Sequence, residues 1–219
     1  MRKLVSLSAL ALMACGSSSN TSVAGMMGGA SFSAAESVAM VVAPQTCPIP
    51  NVGSVPITAV AVAFASTTGT CSTLTGLSGG QCVAQRDAKN LTVVIARFPV
   101  AGSSQPSIGP GQYTLGESES SIQFDQSTGM GTVAFAQGLQ TDAACTPTPH
   151  ALSTDSAHPS TINLTEVSST RVAGHVDITF GDGGTIQGDF DASACGSTPD
   201  VCVLATSTSG LCTSGMTCQ

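Results

Sequence analysis

After residue 30 this sequence never runs far without a turn former, and that spacing leaves it little to build except short β-strands. Apolar and β-branched stretches of strand length are set off by clusters of Gly, Pro, Asn, Asp and Ser. In Ile57–Ala65, Val60, Val62 and Phe64 alternate with alanines. Leu91–Phe98 is rich in β-branched residues and stops before Pro99, while Pro110-Gly111 reads as a turn entering a strand over Gln112–Leu115. Further strands are expected at Ser37–Ala43, Ser121–Asp125, Gly131–Ala136, Thr161–Val167, Arg171–Phe180 and Thr185–Asp191. Helical spacing is confined to one short candidate, Ala34–Met40. The expected fold is all-β, an antiparallel β-sandwich with a partly open barrel as the alternative. One domain over residues 30–194 is long enough to bury a sizeable core.

The pair Arg171–Phe180 and Thr185–Asp191 specifies its own register. Val172, Val176, Ile178 and Phe180 form one face of the first strand, and Ile186 and Phe190 are the apolar members of the second. Opposed residues of an antiparallel pair share a face, so apolar must meet apolar. A two-residue loop mixes the faces. A three-residue loop, Gly181-Asp182-Gly183, opposes Ile178 to Ile186, Val176 to Gly188 and Gly174 to Phe190, with Gly183 free to take the left-handed position. The outer face then sets His175 against Asp189 and Asp177 against Gln187.

The start of the chain is an address. Arg2 and Lys3 precede the apolar run Leu4–Met13, too short to span a bilayer, and Leu12-Met13-Ala14-Cys15 follows. That segment resembles the lipobox of bacterial lipoproteins, which implies cleavage after residue 14 and lipid on Cys15. Residues 1–14 are thus expected to be a signal peptide. Residues 15–29, rich in Ser, Gly, Ala and Asn, are expected to be the lipidated Cys15 and a flexible tether. Gly16 after the cysteine permits sorting to the outer membrane in Gram-negative lipoproteins. Several acyl chains anchor stably where one does not.

Nine cysteines become eight once Cys15 carries lipid. An even number in an exported chain reads as a disulfide framework of Cys47, Cys71, Cys82, Cys145, Cys195, Cys202, Cys212 and Cys218, with 105 connectivities possible. Cys71–Cys82 is the most plausible local pair. No Cys-x-x-Cys or Cys/His cluster suggests zinc. Residues 195–219 hold four of these cysteines among Ser, Thr and Gly, and are expected to lie stapled on the domain. Loss of Arg2 and Lys3 leaves four basic residues (Arg86, Lys89, Arg97, Arg171) against thirteen acidic ones, a side-chain balance of −9. So few cations cannot neutralise a run of phosphates, which argues against nucleic acid and anionic lipid surfaces as partners.

Chemical motifs are incomplete. Gly76-Leu77-Ser78-Gly79-Gly80 matches a nucleophile pattern, but His150, His158 and His175 all follow the serine and no strand-to-helix elbow is expected. His150, Asp155 and His158 share a Pro/Ser/Thr-rich loop without ligand spacing. Gly181-Asp182-Gly183-Gly184 with Asp189 and Asp191 is similar to a calcium turn, but the repeat such turns require occurs once. Glu117, Glu119 and Asp125 occupy alternating positions, as on a solvated strand face. With no Trp and Tyr113 alone among tyrosines, and the seven Phe mostly at inward-looking positions, aromatic platforms for sugars are scarce.

The lipobox, GGASFSAAES, PGQYTLG and the late VAGHVDITFGDGGTIQGDFDASAC together resemble a group of small, cysteine-rich, myxobacteria-like bacterial lipoproteins. The resemblance spans Gly28 to Cys195 and implies a sandwich-like envelope domain without an assigned activity. The function expected is non-enzymatic: a lipid-anchored protein of the cell envelope, in the outer membrane, with a structural or protein-contact role and no cofactor. The alternative is a ligand-binding module for glycan or metal, which an exposed groove at Tyr113 would favour. A deep pocket converging on His150 or His175 would favour an enzyme.

Overall fold

The computed structural model describes residues 20–49, 53–71, 83–100, 105–117, 121–153, 157–196, 202 and 217–218. Every complete element among them is a strand: β1 (Ala24–Met27), β2 (Ala30–Ser33), β3 (Glu36–Ile49), β4 (Gly53–Ala65), β5 (Val83–Ala84), β6 (Lys89–Pro99), β7 (Gly111–Thr114), β8 (Ile122–Asp125), β9 (Met130–Thr141), β10 (Pro147–His150), β11 (Thr161–Val167), β12 (Arg171–Thr179), β13 (Thr185–Ala194) and β14 (Thr217–Cys218). The chain is all-β. Twelve strands join in one curled, open sheet of order β10-β9-β6-β4-β3-β13-β12-β11-β7, with β1, β2 and β8 attached at its margins. Of the two forms expected, this continuous ladder corresponds to the partly open barrel. Pairing is antiparallel except where β13 meets β3 at Ser193–Val38 and Ala194–Ala39, and in the separate β5–β14 pair.

The core lies inside the curl. Val60, Val62 and Phe64 of β4, Leu91, Val93 and Ile95 of β6, and Val176, Ile178, Ile186 and Phe190 of β12 and β13 meet there, with Phe64 set edge-on to Phe190 at 5.2 Å. The alanines between β4's large residues face outward and are also buried. Ala61 and Ala63 pack with Val38, Met40 and Cys195, and Ala59 packs with Val42, Cys47 and Ile57 beside Cys202. A strand covered on both faces carries apolar residues at every position.

Among the described residues three disulfides connect distant segments: Cys47–Cys202, Cys71–Cys195 and Cys145–Cys218. Cys71 thus bonds 124 residues along the chain, and the local Cys71–Cys82 pair is not formed. Sequence spacing favoured the short loop; the fold instead brings Cys195, at the end of β13, onto the outer face of β3 and β4. Cys15, Cys82, Cys212 and Ser78 lie outside the described residues.

The β12–β13 hairpin has the register its apolar pattern requires. Ile178 opposes Ile186, Val176 opposes Gly188, Gly174 opposes Phe190 and His175 opposes Asp189. Phe180 and Gly184 close the ladder, so the loop is Gly181-Asp182-Gly183, with Gly183 at φ +82°. Two expectations differ from the structure. Ala34–Met40 is not a helix, because Glu36–Met40 pair with β4 along β3. Nor is the tether free up to residue 29: β1 pairs with β13, and Val23 and Met27 are fully buried in the core.

Candidate functional site

Along β6 the inward face changes character at one end. Ile95 lies opposite Ala134 and both are buried in the core. Side chains on a strand repeat their direction every second residue. The next inward residue is therefore Arg97, flanked by Thr132 of β9 and Thr58 of β4. The Thr58 hydroxyl donates to the Pro106 carbonyl at 2.9 Å, and Arg97 Nη1 donates to the Ser107 carbonyl at 2.9 Å. These bonds draw the segment before β7 across the mouth of the curl, with Ile108 buried beneath it.

The seam of the sheet passes beside this mouth. Among the described residues β7 pairs only with β11, and β8 only with β9. Past β7 the Gly116 N–H donates to the Ala134 carbonyl of β9 at 2.7 Å, and Gln123 Nε2 of β8 donates to the Thr114 carbonyl of β7 at 2.9 Å. Between them a groove of about 380 Å³ opens, lined by Arg97, Gln112, Tyr113, Gln123, Phe124, Asp125 and Thr132 among others. The mouths of β-barrels are common places for small-ligand sites, and this volume is in their range.

The groove combines apolar surface with hydrogen-bonding groups. Phe124 is 61 % exposed, whereas the Tyr113 ring is half-buried with its hydroxyl donating to the Gly109 carbonyl at 2.9 Å. Asp125 is already engaged. It accepts from the Ser127 hydroxyl at 2.6 Å, the Thr128 hydroxyl at 2.8 Å and the Ser127 N–H at 2.9 Å. These bonds, the Ser127 hydroxyl foremost, hold its carboxyl at about 2, so it is ionised at neutral pH.

Arg97 is not matched in the same way. Among the described residues no carboxylate lies within ion-pair distance of it, and its Nε is shielded from water without a hydrogen-bond partner. A buried donor left unmade costs about 1–3 kcal/mol. Arg171, by contrast, forks to Asp191 at 2.6 and 2.9 Å and reaches Glu166 at 2.6 Å.

Among the described residues, those singled out from the sequence do not assemble into a catalytic or metal centre. His175 is half-exposed and pairs with Asp189 at 2.8 Å on the outer face. His150 lies largely covered on β10, its Nδ1 3.2 Å from Asp182 and its ring edge-on to Phe180. Asp182 also accepts from the N–H groups of Gly184 and Gly28 at 2.9 Å each, and these bonds, Gly184 first, hold its carboxyl below the usual range. The three carboxylates of the calcium-like segment are therefore dispersed: Asp182 to His150, Asp189 to His175, Asp191 to Arg171. His158 stays in its loop, and Asp155 and Glu119 lie outside the described residues. Among the described residues no three His, Cys, Asp or Glu side chains converge.

The groove residues other than Tyr113 and Asp125 were not singled out from the sequence. Arg97 had a signal: it is in phase with Leu91, Val93 and Ile95, a charge on an otherwise inward apolar row. Phe124 is the exposed exception among phenylalanines expected mostly to face inward. No family model, curated protein or solved structure matches this chain.

Proposed function

We propose that this chain is an envelope-anchored, non-enzymatic binding protein that holds a polar, glycan-type ligand at the seam of its curled sheet. The observation that carries this reading is the groove between β7 and β8, where an exposed Phe124 borders Gln112, Gln123, Thr132 and an unmatched Arg97. Sugars present an apolar ring face and a rim of hydroxyls. A site for them needs one aromatic surface and several side chains able both to donate and to accept. Gln112 and Gln123 have amides of that kind, and Thr132 a hydroxyl. Between the two readings open from the sequence, an exposed groove at Tyr113 favours ligand binding over a purely structural role.

The anchor is supported by the basic residues, apolar run and lipobox ending at Cys15, and the disulfides accord with a compartment that permits them. A protein-contact role has one observation in its favour: Val100, Ile122 and Phe124 are large apolar residues exposed near the same edge. A glycan array with the oxidised mature protein decides between them. Saccharide binding that falls about tenfold in Phe124→Ala, with an unchanged thermal midpoint, is the expected result. Retention of no saccharide by the parent protein would overturn the reading.

A further inference from the structure

We infer that the ligand is an acidic sugar, a pyranose ring bearing a carboxylate, and that Arg97 selects it. The inference rests on the groove being a glycan site and names what that site prefers. Its starting point is charge. Thirteen acidic residues are available to this chain, yet none of those described stands within ion-pair distance of Arg97. The acid in the same groove, Asp125, has its oxygens turned into its own Ser127–Thr128 turn. Arg97 is thus the uncommitted charge of the groove.

Geometry then narrows the chemistry. A guanidinium presents its donors as forks, and a carboxylate matches such a fork with two parallel bonds. Nη1 of Arg97 is used by the Ser107 carbonyl, which fixes one side of the group. Nε, on the opposite edge, has no partner. Nε and Nη2 share one edge of the guanidinium, and a carboxylate bonded along that edge would satisfy the orphaned donor. Phe124 and Tyr113 border the same groove and supply the surface for the sugar ring, and the Gln112 and Gln123 amides meet its hydroxyls. A polyphosphate is a poor match, because a single cation faces a groove that also holds an ionised aspartate.

The test compares D-glucuronate, its methyl ester and D-glucose by isothermal titration with the mature, oxidised protein. Glucuronate is expected to bind at least tenfold more tightly than glucose or the ester. Arg97→Gln should bring the three affinities together, with an unchanged circular dichroism spectrum reporting that the sheet remains folded. Arg97→Lys, which keeps the charge but loses the fork, should retain only part of the preference. Equal affinity for glucuronate and glucose in the parent overturns the acidic-sugar inference and leaves the glycan reading standing. A short peptide's terminal carboxylate competing as well as glucuronate overturns it too. Failure of all three sugars to bind overturns both.

Discussion

Gly174→Ala is the sharpest single test of the sheet as built. Gly174 sits on β12 between Leu164 of β11 and Phe190 of β13, next to the bulge where β11 shifts register between Leu164 and Glu166. A methyl group there would be driven into the Asn163 carbonyl oxygen and would lie 3.1 Å from Leu164 Cα. Both are backbone atoms held in the ladder, so neither can swing aside as a side chain could. Relief requires β11 to move off β12, which loosens Leu164 and Ile162 in the core. Overpacking of this kind costs about 1–3 kcal/mol, and a backbone clash belongs at the upper end. For a domain of this size each kcal/mol lowers the thermal midpoint by about 2–4 °C, so a drop of roughly 5–10 °C is expected. Circular dichroism melting of the oxidised protein measures it. Gly183→Asn is the control: nothing lies within 4 Å of its Cβ position and Asn tolerates a left-handed backbone better than most residues, so its cost should stay within about 1 kcal/mol. A Gly174→Ala protein melting within about 1 °C of the parent would refute the close approach of β11.

The remaining expectations concern covalent state and pH. Thiol counting under denaturing, non-reducing conditions should find the eight cysteines after Cys15 oxidised, with peptide mapping returning Cys47–Cys202, Cys71–Cys195 and Cys145–Cys218 and leaving Cys82 to bond Cys212; two free thiols or bound zinc would contradict it. Removing Cys145–Cys218 as a double alanine variant should cost about 4 kcal/mol in the chain-entropy model, given a separation of 73 residues, as read from denaturant melts. Intact mass of membrane-extracted protein should show lipid on Cys15, and Cys15→Ser should release the chain from membranes; an unlipidated mature chain starting beyond residue 16 would end the lipoprotein reading. The Asp125 carboxyl should titrate near 2 by NMR, and Ser127→Ala should raise it toward the usual 3.8. Because its folded acidity is the stronger, the Asp125 turn stabilises above the unfolded value and loses that contribution as pH falls from 3.8 toward 2. An unshifted midpoint would show the turn is not formed.

Strand identity was legible wherever one side of a strand repeats with period two. Thr161–Val167 is found at its expected bounds, and Arg171–Thr179 and Thr185–Ala194 pair in the register that apolar matching demanded. The failures have a common physical origin. Ala34–Met40 lacks strict alternation because β3 is buried on both faces, and a strand with apolar residues on both sides imitates a helix. β1 was hidden because Ala24, Gly25 and Met26 carry little β-propensity; its strand exists through pairing with β13 and burial of Met27, which are tertiary effects. The Cys71 pairing could not be read at all, since a disulfide joins whatever the fold brings within about 6 Å, and 124 residues of topology intervene.

The groove was half legible for a related reason. A strand entering a barrel mouth keeps its period but exchanges apolar for polar side chains once the core ends, so Arg97 carries the site's signature within Leu91–Phe98 itself. What the sequence could not say is which residues face Arg97 across the seam. Those come from β8 and β9, 25 to 35 residues further on, and from β7, which reaches the seam only because β11 holds its other edge. The same geometry explains why His150 and His175, the obvious candidates, do not join the groove. His175 meets Asp189 by cross-strand pairing and His150 meets Asp182 of the β12–β13 loop, each through Nδ1 and away from the seam. Arg97 is the reverse case, a charged side chain that the fold turns inward and that meets no acid among the described residues. In a chain with this excess of carboxylates, an acid arriving with the ligand is the most direct way to complete it.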